Sequence, residues 1–364
     1  MTLNSLSILN YKNIVEAELS FSSKINCFTG DNGMGKTNML DAIYYLSFCK
    51  SHSNSVDSLN IFHNADFLML RGNYVVGENE EEIYCAIKRR TKKQFKRNKK
   101  EYERLSDHIG ILPLVLVSPA DTELIIGGSE DRRKFMDGVI SQYNRQYLNS
   151  LLHYGNALKQ RNALLKTEIT ANDTLFDVFE EQMLDCGQYI YEQRQQFLSD
   201  FIPVFRQIYA EISDEIENIN LSYTSQYHSR DIPSYLRQNR ERDLAIGFST
   251  VGIHKDDLEM LLDEYPLKRV GSQGQSKTFL ISLKLAQYRF LQRIHGFSPI
   301  LLLDDIFDKL DSKRVSKIIK LVSGNDFGQI FITDTNRENI NTLLSKIAQE
   351  SFIFDVKNGN FEKL

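Results

Sequence analysis

Apolar and polar residues alternate along the first part of the chain, which is typical of strands that bury one face. Strands are predicted at residues 6–9, 15–21, 25–28, 67–76 and 82–90, with residues 77–80 as the turn between the last two. Apolar residues at helical spacing over residues 39–48 predict a helix soon after the third strand. Residues 112–117 predict a further buried strand, which Ser118-Pro119 ends.

The pattern changes in the middle of the chain. From about residue 129 to 213 glycines are few and apolar stripes recur at helical spacing, so long helices are predicted. The last part alternates again, with a helix at 276–293, strands at 299–303 and 329–333, and helices between strands. This order predicts an α/β fold in which an inserted helical lobe, residues 119–243, interrupts one lobe made of residues 1–118 and 244–364.

Composition narrows the class of protein. The 364 residues are 41% hydrophobic, enough for a sizeable core and more than one globular unit. Cys27, Cys49, Cys85 and Cys186 lie far apart, which argues against a disulfide framework and a zinc site. The N-terminus has no signal-peptide pattern and no apolar run approaches membrane-spanning length, so we expect a cytoplasmic protein without a membrane partner.

Positive charge is concentrated in one short segment. Residues 88–100 hold 9 of the 44 basic residues and no acid, although the whole chain has a net charge of −4. Such a segment suits contacts with a phosphate backbone, or forms a solvated surface hairpin. The cations predicted to contact DNA on the first interpretation are Lys92, Lys93, Lys96 and Arg97.

A phosphate-binding loop is predicted between the third strand and the first helix. The pattern G-x-x-x-x-G-K-S/T is matched by Gly30, Asp31, Asn32, Gly33, Met34, Gly35, Lys36 and Thr37. Glycines let such a loop aim its backbone N–H groups at phosphate oxygens, beside the positive end of a helix. We expect Lys36 to meet the β- and γ-phosphates and the Thr37 hydroxyl to bind Mg²⁺.

Two carboxylates follow a strand that is predicted to be buried on both faces. Residues 300–303 are apolar, and Asp304 and Asp305 come directly after them. Ligands bind at the carboxyl ends of strands in open α/β sheets. We therefore expect Asp304 to hold Mg²⁺ through its waters and Asp305 to orient or deprotonate an attacking water.

A second anion-binding element precedes the long helix at 276–293. It consists of Ser272, Gln273, Gly274 and Gln275, where a hydroxyl and free N–H groups meet the positive end of a helix. One ATP does not need two such elements. The economical interpretation is that this one binds the γ-phosphate of ATP held by a second copy, so that two protomers enclose two nucleotides.

Taken in this order, and followed by Asp308-Lys309-Leu310-Asp311, these motifs resemble those of the RecF family of SMC-like, ABC-type ATPases. The resemblance covers nearly the whole chain. It includes Asn38 after the phosphate loop and the segments Asn10-Tyr11-Lys12-Asn13, Lys50-Ser51-His52, Asp131-Arg132-Arg133-Lys134-Phe135 and Phe331-Ile332-Thr333.

The resemblance implies an ABC-type P-loop ATPase head with an inserted helical lobe. It implies an ATP-dependent homodimer that clamps single-stranded or duplex DNA and, with RecR and RecO, helps load RecA at gaps during repair and replication restart. ATP and Mg²⁺ are the implied cofactors. Asn38 joins the phosphate loop, Lys12 approaches the phosphates, Ser272 to Gln275 act in trans, and Asp311 matches the D-loop aspartate.

Some positions depart from related ATPases. Thr333 stands where transporter ATPases have a switch histidine, and no glutamine ends the 112–117 strand. Asp305 is one methylene shorter than the glutamate of vigorous ATPases, so we expect slow hydrolysis and a switch role for ATP. His254 is expected to be structural. The alternatives are a P-loop kinase, which would not need the Ser272 to Gln275 element, and the peripheral ATPase of a transporter.

Overall fold

The structure is a computed structural model that describes residues 1–166, 173–213, 217–306, 312–324, 326–338, 340, 344 and 350–364. Contacts divide the chain into two units. Unit 1 comprises Met1–Asp121, Glu211–Asp214 and Lys277–Leu364, and unit 2 comprises Thr122–Ala210 and Glu215–Ser276. The predicted insertion, residues 119–243, and unit 2 do not end together: apart from Glu211–Asp214, the chain stays in unit 2 as far as Ser276.

The described residues form the following strands: β1 Thr2–Tyr11, β2 Ile14–Ser20, β3 Ile25–Thr29, β4 Phe67–Val76, β5 Asn79–Lys88, β6 Gln94–Arg97, β7 Lys100–Glu101, β8 Leu114–Val117, β9 Ile219–Thr224, β10 Asp257–Leu262, β11 Tyr265–Pro266, β12 Ile300–Asp304, β13 Ile330–Asp334, β14 Ser351–Lys357 and β15 Asn360–Lys363. They form the following helices: α1 Lys36–Phe48, α2 Glu123–Ile126, α3 Ser129–Ile140, α4 Arg145–Leu164, α5 Asp173–Ile212, α6 Ile232–Gln238, α7 Arg240–Ile246, α8 Leu267–Val270, α9 Gln273–His295 and α10 Ser312–Val322. None of these helices combines the length and the apolar character that crossing a membrane requires.

Unit 1 contains an antiparallel sheet in the order β2-β1-β4-β5-β6-β7. The predicted hairpin of β4 and β5 forms, with Gly72 opposite Ile83. Alternation places Leu6, Ile8 and Leu70 on the buried face, as expected for a sheet that covers a core on one side.

The second sheet of unit 1 has the order β15-β14-β3-β13-β12-β8, and all its neighbouring strands are parallel except β15 and β14. Every residue of β3, β12 and β13 is buried, which explains why most of their residues are apolar and do not alternate with polar ones. Phe28, Thr333 and Asp304 are register partners along three adjacent strands. The carboxyl ends of these strands therefore meet at one edge of the sheet.

Helix α1 is enclosed on most of its surface. Its buried residues include Met39, Ile43 and Leu46, and they share one core cluster with residues of both sheets. A helix that is apolar around much of its circumference needs such a position. Because α1 begins with Lys36, this packing fixes where the phosphate loop points.

Unit 2 consists mainly of helices, with a small antiparallel sheet in the order β11-β10-β9. The pairing of β10 with β9 is the reason that residues after 244 stay in unit 2. Two arginines are almost completely buried in it, Arg161 on α4 and Arg194 on α5. Arg194 donates to Asp137 and to Asp256, so the charge is compensated where α3, α5 and the segment before β10 meet.

Candidate nucleotide-binding site

The loop between β3 and α1 is shaped by glycines that approach other parts of the chain closely. At Gly30, with φ 152°, a Cβ atom would lie 2.3 Å from the carbonyl oxygen of Val356 on β14. At Gly35, with φ 112°, it would lie 2.9 Å from the Asn13 side chain. Any larger residue would displace the loop, so the glycines keep its backbone open and turned toward the start of α1.

Lys36 folds back over this loop. Its Nζ donates to the carbonyl oxygens of Gly30 at 2.6 Å and Asp31 at 2.9 Å. Burial lowers the pKa of Lys36, and the neighbouring Asp305 and Asp304 carboxylates oppose that shift. The ammonium group is thus already positioned above the loop, where it would meet phosphate oxygens.

Asp304 is brought next to the phosphate loop although 267 positions separate it from Thr37. The Thr37 hydroxyl donates to Asp304 Oδ1 at 3.0 Å, and the Thr333 hydroxyl donates to the same oxygen at 2.7 Å. Burial raises the pKa of Asp304, against these hydrogen bonds. A hydroxyl and a carboxylate side by side are oxygen ligands of the kind that Mg²⁺ takes, so Thr37 and Asp304 fit the ion.

Asp305 adopts the left-handed conformation, with φ 49°. Its N–H donates to Thr333 at the hydroxyl, 3.1 Å away, and at the carbonyl, 3.2 Å away. Such strain in a non-glycine residue is common at functional sites. Asp305 lines a cavity of about 170 Å³ together with Asn32, Gly33, Gly35, Lys36, Thr37, Asn38, Asp304 and Thr333.

Two supports of the phosphate loop were not predicted. Asn13 donates to the carbonyl oxygen of Gly33 at 3.2 Å and accepts from Asn38 at 2.7 Å. On the other side, the Gly359 N–H donates to the carbonyl oxygen of Met34 at 2.8 Å. The Asn-Gly dipeptide at 358–359 is a strong hairpin signal and would have predicted the turn between β14 and β15, but not its contact with the loop.

The Lys12 side chain, predicted to approach the phosphates, lies elsewhere in the structure. Its ammonium contacts the carboxylate of Asp41 and donates to Ser53 Oγ at 2.6 Å, and Lys12 does not line the cavity. Burial alone would raise the pKa of Asp41, but Lys12 and the hydroxyls of Ser51 and Tyr11 hold it below its usual value. The buried carboxylate needs this cation, which explains why Lys12 turns toward α1.

The predicted element at the start of α9 forms a reciprocal cap. The N–H of Ser272 donates to Gln275 Oε1 at 2.7 Å, and the N–H of Gln275 donates to Ser272 Oγ at 3.1 Å. Ser272 and Gln273 are exposed. This element belongs to unit 2 and not to the second part of the ATPase lobe, where it was predicted. Asp311 lies outside the described residues.

The basic segment does not form one uniform surface. Lys93 is only 13% exposed and binds Asp57 at 2.8 Å, the Tyr45 hydroxyl at 2.9 Å and the carbonyl oxygen of Cys49 at 2.7 Å. Arg97 pairs with Glu81 through two hydrogen bonds, of 2.8 and 2.5 Å. Both therefore have internal partners, whereas Lys92 is exposed and Lys96 lies 5.7 Å from the centre of the Tyr84 ring.

His254 has the surroundings of a structural residue, as predicted. Its Nδ1 lies 2.7 Å from the Tyr154 hydroxyl and its Nε2 lies 3.0 Å from the carbonyl oxygen of Ser249. Burial lowers its pKa to about 4. The neutral ring thus links α4 to the segment before β10.

Comparison with known proteins agrees with this geometry. The family model described as the RecF/RecN/SMC N-terminal domain matches residues 2–352. The chain belongs to the RecF family. It is 56% identical over 360 residues to the DNA replication and repair protein RecF of Bacteroides thetaiotaomicron, covering 99% of this chain and 98% of that protein. It is 53% identical over 364 residues, all of both chains, to the same-named protein of Parabacteroides distasonis.

Comparison with solved structures identifies the fold of this chain. The recombination mediator protein RecF-ATPrS in the RecFOR pathway matches with a TM-score of 0.90 and 28% identity, covering 100% of this chain and 98% of that one. An Smc head bound to the C-winged helix domain of ScpA matches with a TM-score of 0.58 at 15% identity, covering 100% of this chain and 97% of that one, which is a likeness of fold alone. The predicted ABC-type, SMC-like ATPase head is therefore confirmed.

Proposed function

We propose that this protein is an ATP-switched DNA-binding protein of replication and recombinational repair. The observation that carries the proposal is the pairing of Thr37 with Asp304 beside Lys36, which unites a phosphate loop with a carboxylate that fits Mg²⁺ in one cavity. The relatives named for DNA replication and repair, and the ATPrS complex in the RecFOR pathway, support it. RecO and RecR are the proposed partners in the cytoplasm, and loading of RecA at gaps is the proposed outcome.

ATP is proposed to close a homodimer. The capped start of α9 leaves Ser272 and Gln273 exposed, as a surface that receives a second protomer's nucleotide requires. Asp305, which lines the cavity, is proposed to orient the attacking water. Because its side chain is short, hydrolysis is proposed to be slow and to reset the switch.

Substituting Ser272→Arg is expected to prevent ATP-dependent dimerisation, because a bulky cation replaces the hydroxyl that both caps α9 and would face the second nucleotide. Ser272→Thr keeps a capping hydroxyl and should dimerise like the unmodified protein. Multi-angle light scattering with and without ATP measures the mass directly. Ser199→Arg, at an exposed serine of α5, is the matched control. Equal dimerisation of Ser272→Arg and Ser199→Arg would contradict a role of this element in trans.

DNA is proposed to contact cations on the open face of the antiparallel sheet, one of which, Arg71, also lies 3.9 Å from the Glu82 carboxylate. Tyr84 on β5 is the register partner of Lys96 on β6 and of Arg71 on β4. The charged groups of both lie near its ring, 5.7 and 5.8 Å from the ring centre. Lys92 is exposed just before β6. Cations beside an aromatic ring on an open sheet face suit a phosphate backbone and its bases.

The double variant Lys92→Glu/Lys96→Glu is expected to weaken ATP-dependent binding of a 40-base-pair duplex about tenfold or more and to lower the salt slope by about 2, since each phosphate contact contributes about 0.9. Fluorescence anisotropy at several salt concentrations measures both. Lys320→Glu, at an exposed lysine of α10, should change neither. Unaltered binding by the double variant would remove this face from the proposal, whereas absence of ATP-dependent DNA binding in the unmodified protein would contradict the proposed function itself.

A further inference from the structure

Helix α4 of unit 2 has an unusual charge distribution. Residues 145–166 contain Arg145, Lys159, Arg161 and Lys166 but no aspartate or glutamate, in a chain with 48 acidic residues and a net charge of −4. Surface helices commonly place an acid four residues from a lysine. Arg161 is buried and paired, so the exposed positive charge near the C-terminal end of this helix comes from Lys159 and from Lys166, two residues beyond Leu164.

The open side of α4 bears a shallow cavity of about 480 Å³, lined by Gly155, Leu158, Lys159, Asn162, Ala163 and Lys166. The positions from Gly155 to Ala163 recur at helical spacing and therefore form one face of α4, and Lys166 follows just after the helix ends. At Gly155 a Cβ atom would meet nothing within 4 Å. Gly155, Leu158 and Ala163 form the apolar floor of the cavity, and the glycine lets a partner approach the helix backbone.

The loop after α7 extends this surface. Asn162 Oδ1 accepts from the N–H and hydroxyl of Ser249, at 2.8 and 2.7 Å, which fixes the loop beside α4. The preceding Phe248 remains 47% exposed, and Lys255 Nζ lies 5.1 Å from the centre of its ring. A third lysine therefore joins the apolar surface, and none of the described residues that line the cavity is acidic.

We infer that this surface, formed by the α4 face and Phe248, binds an acidic amphipathic segment of a protein partner. The apolar floor would take the partner's apolar side chains in the helix-in-groove manner, and Lys159, Lys166 and Lys255 would pair with its carboxylates. Three cations around an apolar floor suit a peptide better than a nucleic acid, whose affinity depends mainly on many phosphate contacts. The inference concerns unit 2 and goes beyond ATP and DNA binding.

The test uses a fluorescein-labelled peptide of about 15 residues, long enough for several helical turns, with leucines at helical spacing and aspartates elsewhere. Fluorescence anisotropy with the full-length protein should show saturable binding that weakens with salt. A peptide with lysine at every aspartate position should not bind. The Lys159→Glu/Lys166→Glu variant should bind the acidic peptide at least about tenfold more weakly, and Gln146→Glu, an exposed position at the start of the same helix, should bind it normally.

A second pair of variants separates lost binding from lost folding. Gly155→Glu fills and charges the cavity, whereas Gly138→Glu adds the same side chain on α3, where a Cβ atom also meets nothing within 4 Å. Only Gly155→Glu should reduce peptide binding, with circular dichroism unchanged in both. Equal binding of the acidic and basic peptides, unchanged binding by the Lys159→Glu/Lys166→Glu variant, or equal effects of the two glycine variants would overturn the inference. Binding of a 15-nucleotide oligonucleotide that requires Lys159 and Lys166, without peptide binding, would also overturn it.

Discussion

Lys36→Ala is expected to weaken ATP binding roughly 100-fold or more, which corresponds to about 2.7 kcal/mol. The substitution removes the ammonium group that lies over the phosphate loop and leaves the carbonyl oxygens of Gly30 and Asp31 without their donor. Those two oxygens would then face the negative charge of the nucleotide with no cation between them. Isothermal titration calorimetry with ATP and Mg²⁺ measures the affinity.

Lys24→Ala is the matched control for this effect, because Lys24 lies in unit 1 directly before β3 but outside the cavity. We expect its affinity to stay close to that of the unmodified protein. Lys36→Arg keeps the charge but replaces the compact ammonium group by a planar guanidinium group, so it should retain only part of the ATP affinity. If Lys36→Ala binds ATP as tightly as Lys24→Ala, the loop is not the phosphate site.

The core of this site is predictable from sequence because its parts are local patterns. A glycine-rich loop before a helix and an apolar strand ending in Asp304 each specify their own backbone geometry. Parallel pairing of β12 with β13, and of β13 with β3, then brings the ends of these strands together. The contact of Thr37 with Asp304 follows from that topology.

The supports of the site were not predictable because they depend on packing between distant segments. Asn13 contacts the loop from the β1–β2 turn, and Gly359 contacts it from the β14–β15 turn. At Gly359 a Cβ atom would lie 2.4 Å from the carbonyl oxygen of Asn13, so the two turns also touch each other. No local pattern shows which turns will meet. For the same reason Lys12 was predicted to lie near the phosphates, whereas in the structure it pairs with Asp41.

In the basic segment, strand alternation directs neighbouring side chains to opposite faces of the sheet. Phe95 is buried, so its neighbour Lys96 must point to the opposite face of β6. Lys93 precedes the strand and reaches Asp57 and Tyr45 instead. Counting charges located the basic segment but could not tell which of its cations already have partners, as Lys93 and Arg97 do.

The second large effect is expected in unit 2, where Arg161→Met should cost about 3–5 kcal/mol of unfolding free energy. Arg161 is completely buried and binds Glu180 at 2.9 Å, Asp243 at 2.7 Å and the Ser249 hydroxyl at 2.7 Å. Methionine fills a similar space but leaves the Asp243 carboxylate buried without a cation. Glu180 is less affected, because Arg240 also donates to it.

Urea denaturation followed by circular dichroism measures this loss, with each transition fitted separately because the chain has two units. Arg240→Met is the matched control, since Arg240 is 20% exposed and its removal leaves Glu180 bound to Arg161. Arg240→Met should lower the free energy of unfolding clearly less than Arg161→Met does. Adding Asp243→Asn to Arg161→Met should recover part of the loss, because the amide carries no charge to compensate, whereas Asp243→Asn alone should destabilise. Equal losses for Arg161→Met and Arg240→Met would show that the uncompensated carboxylate is not the cause.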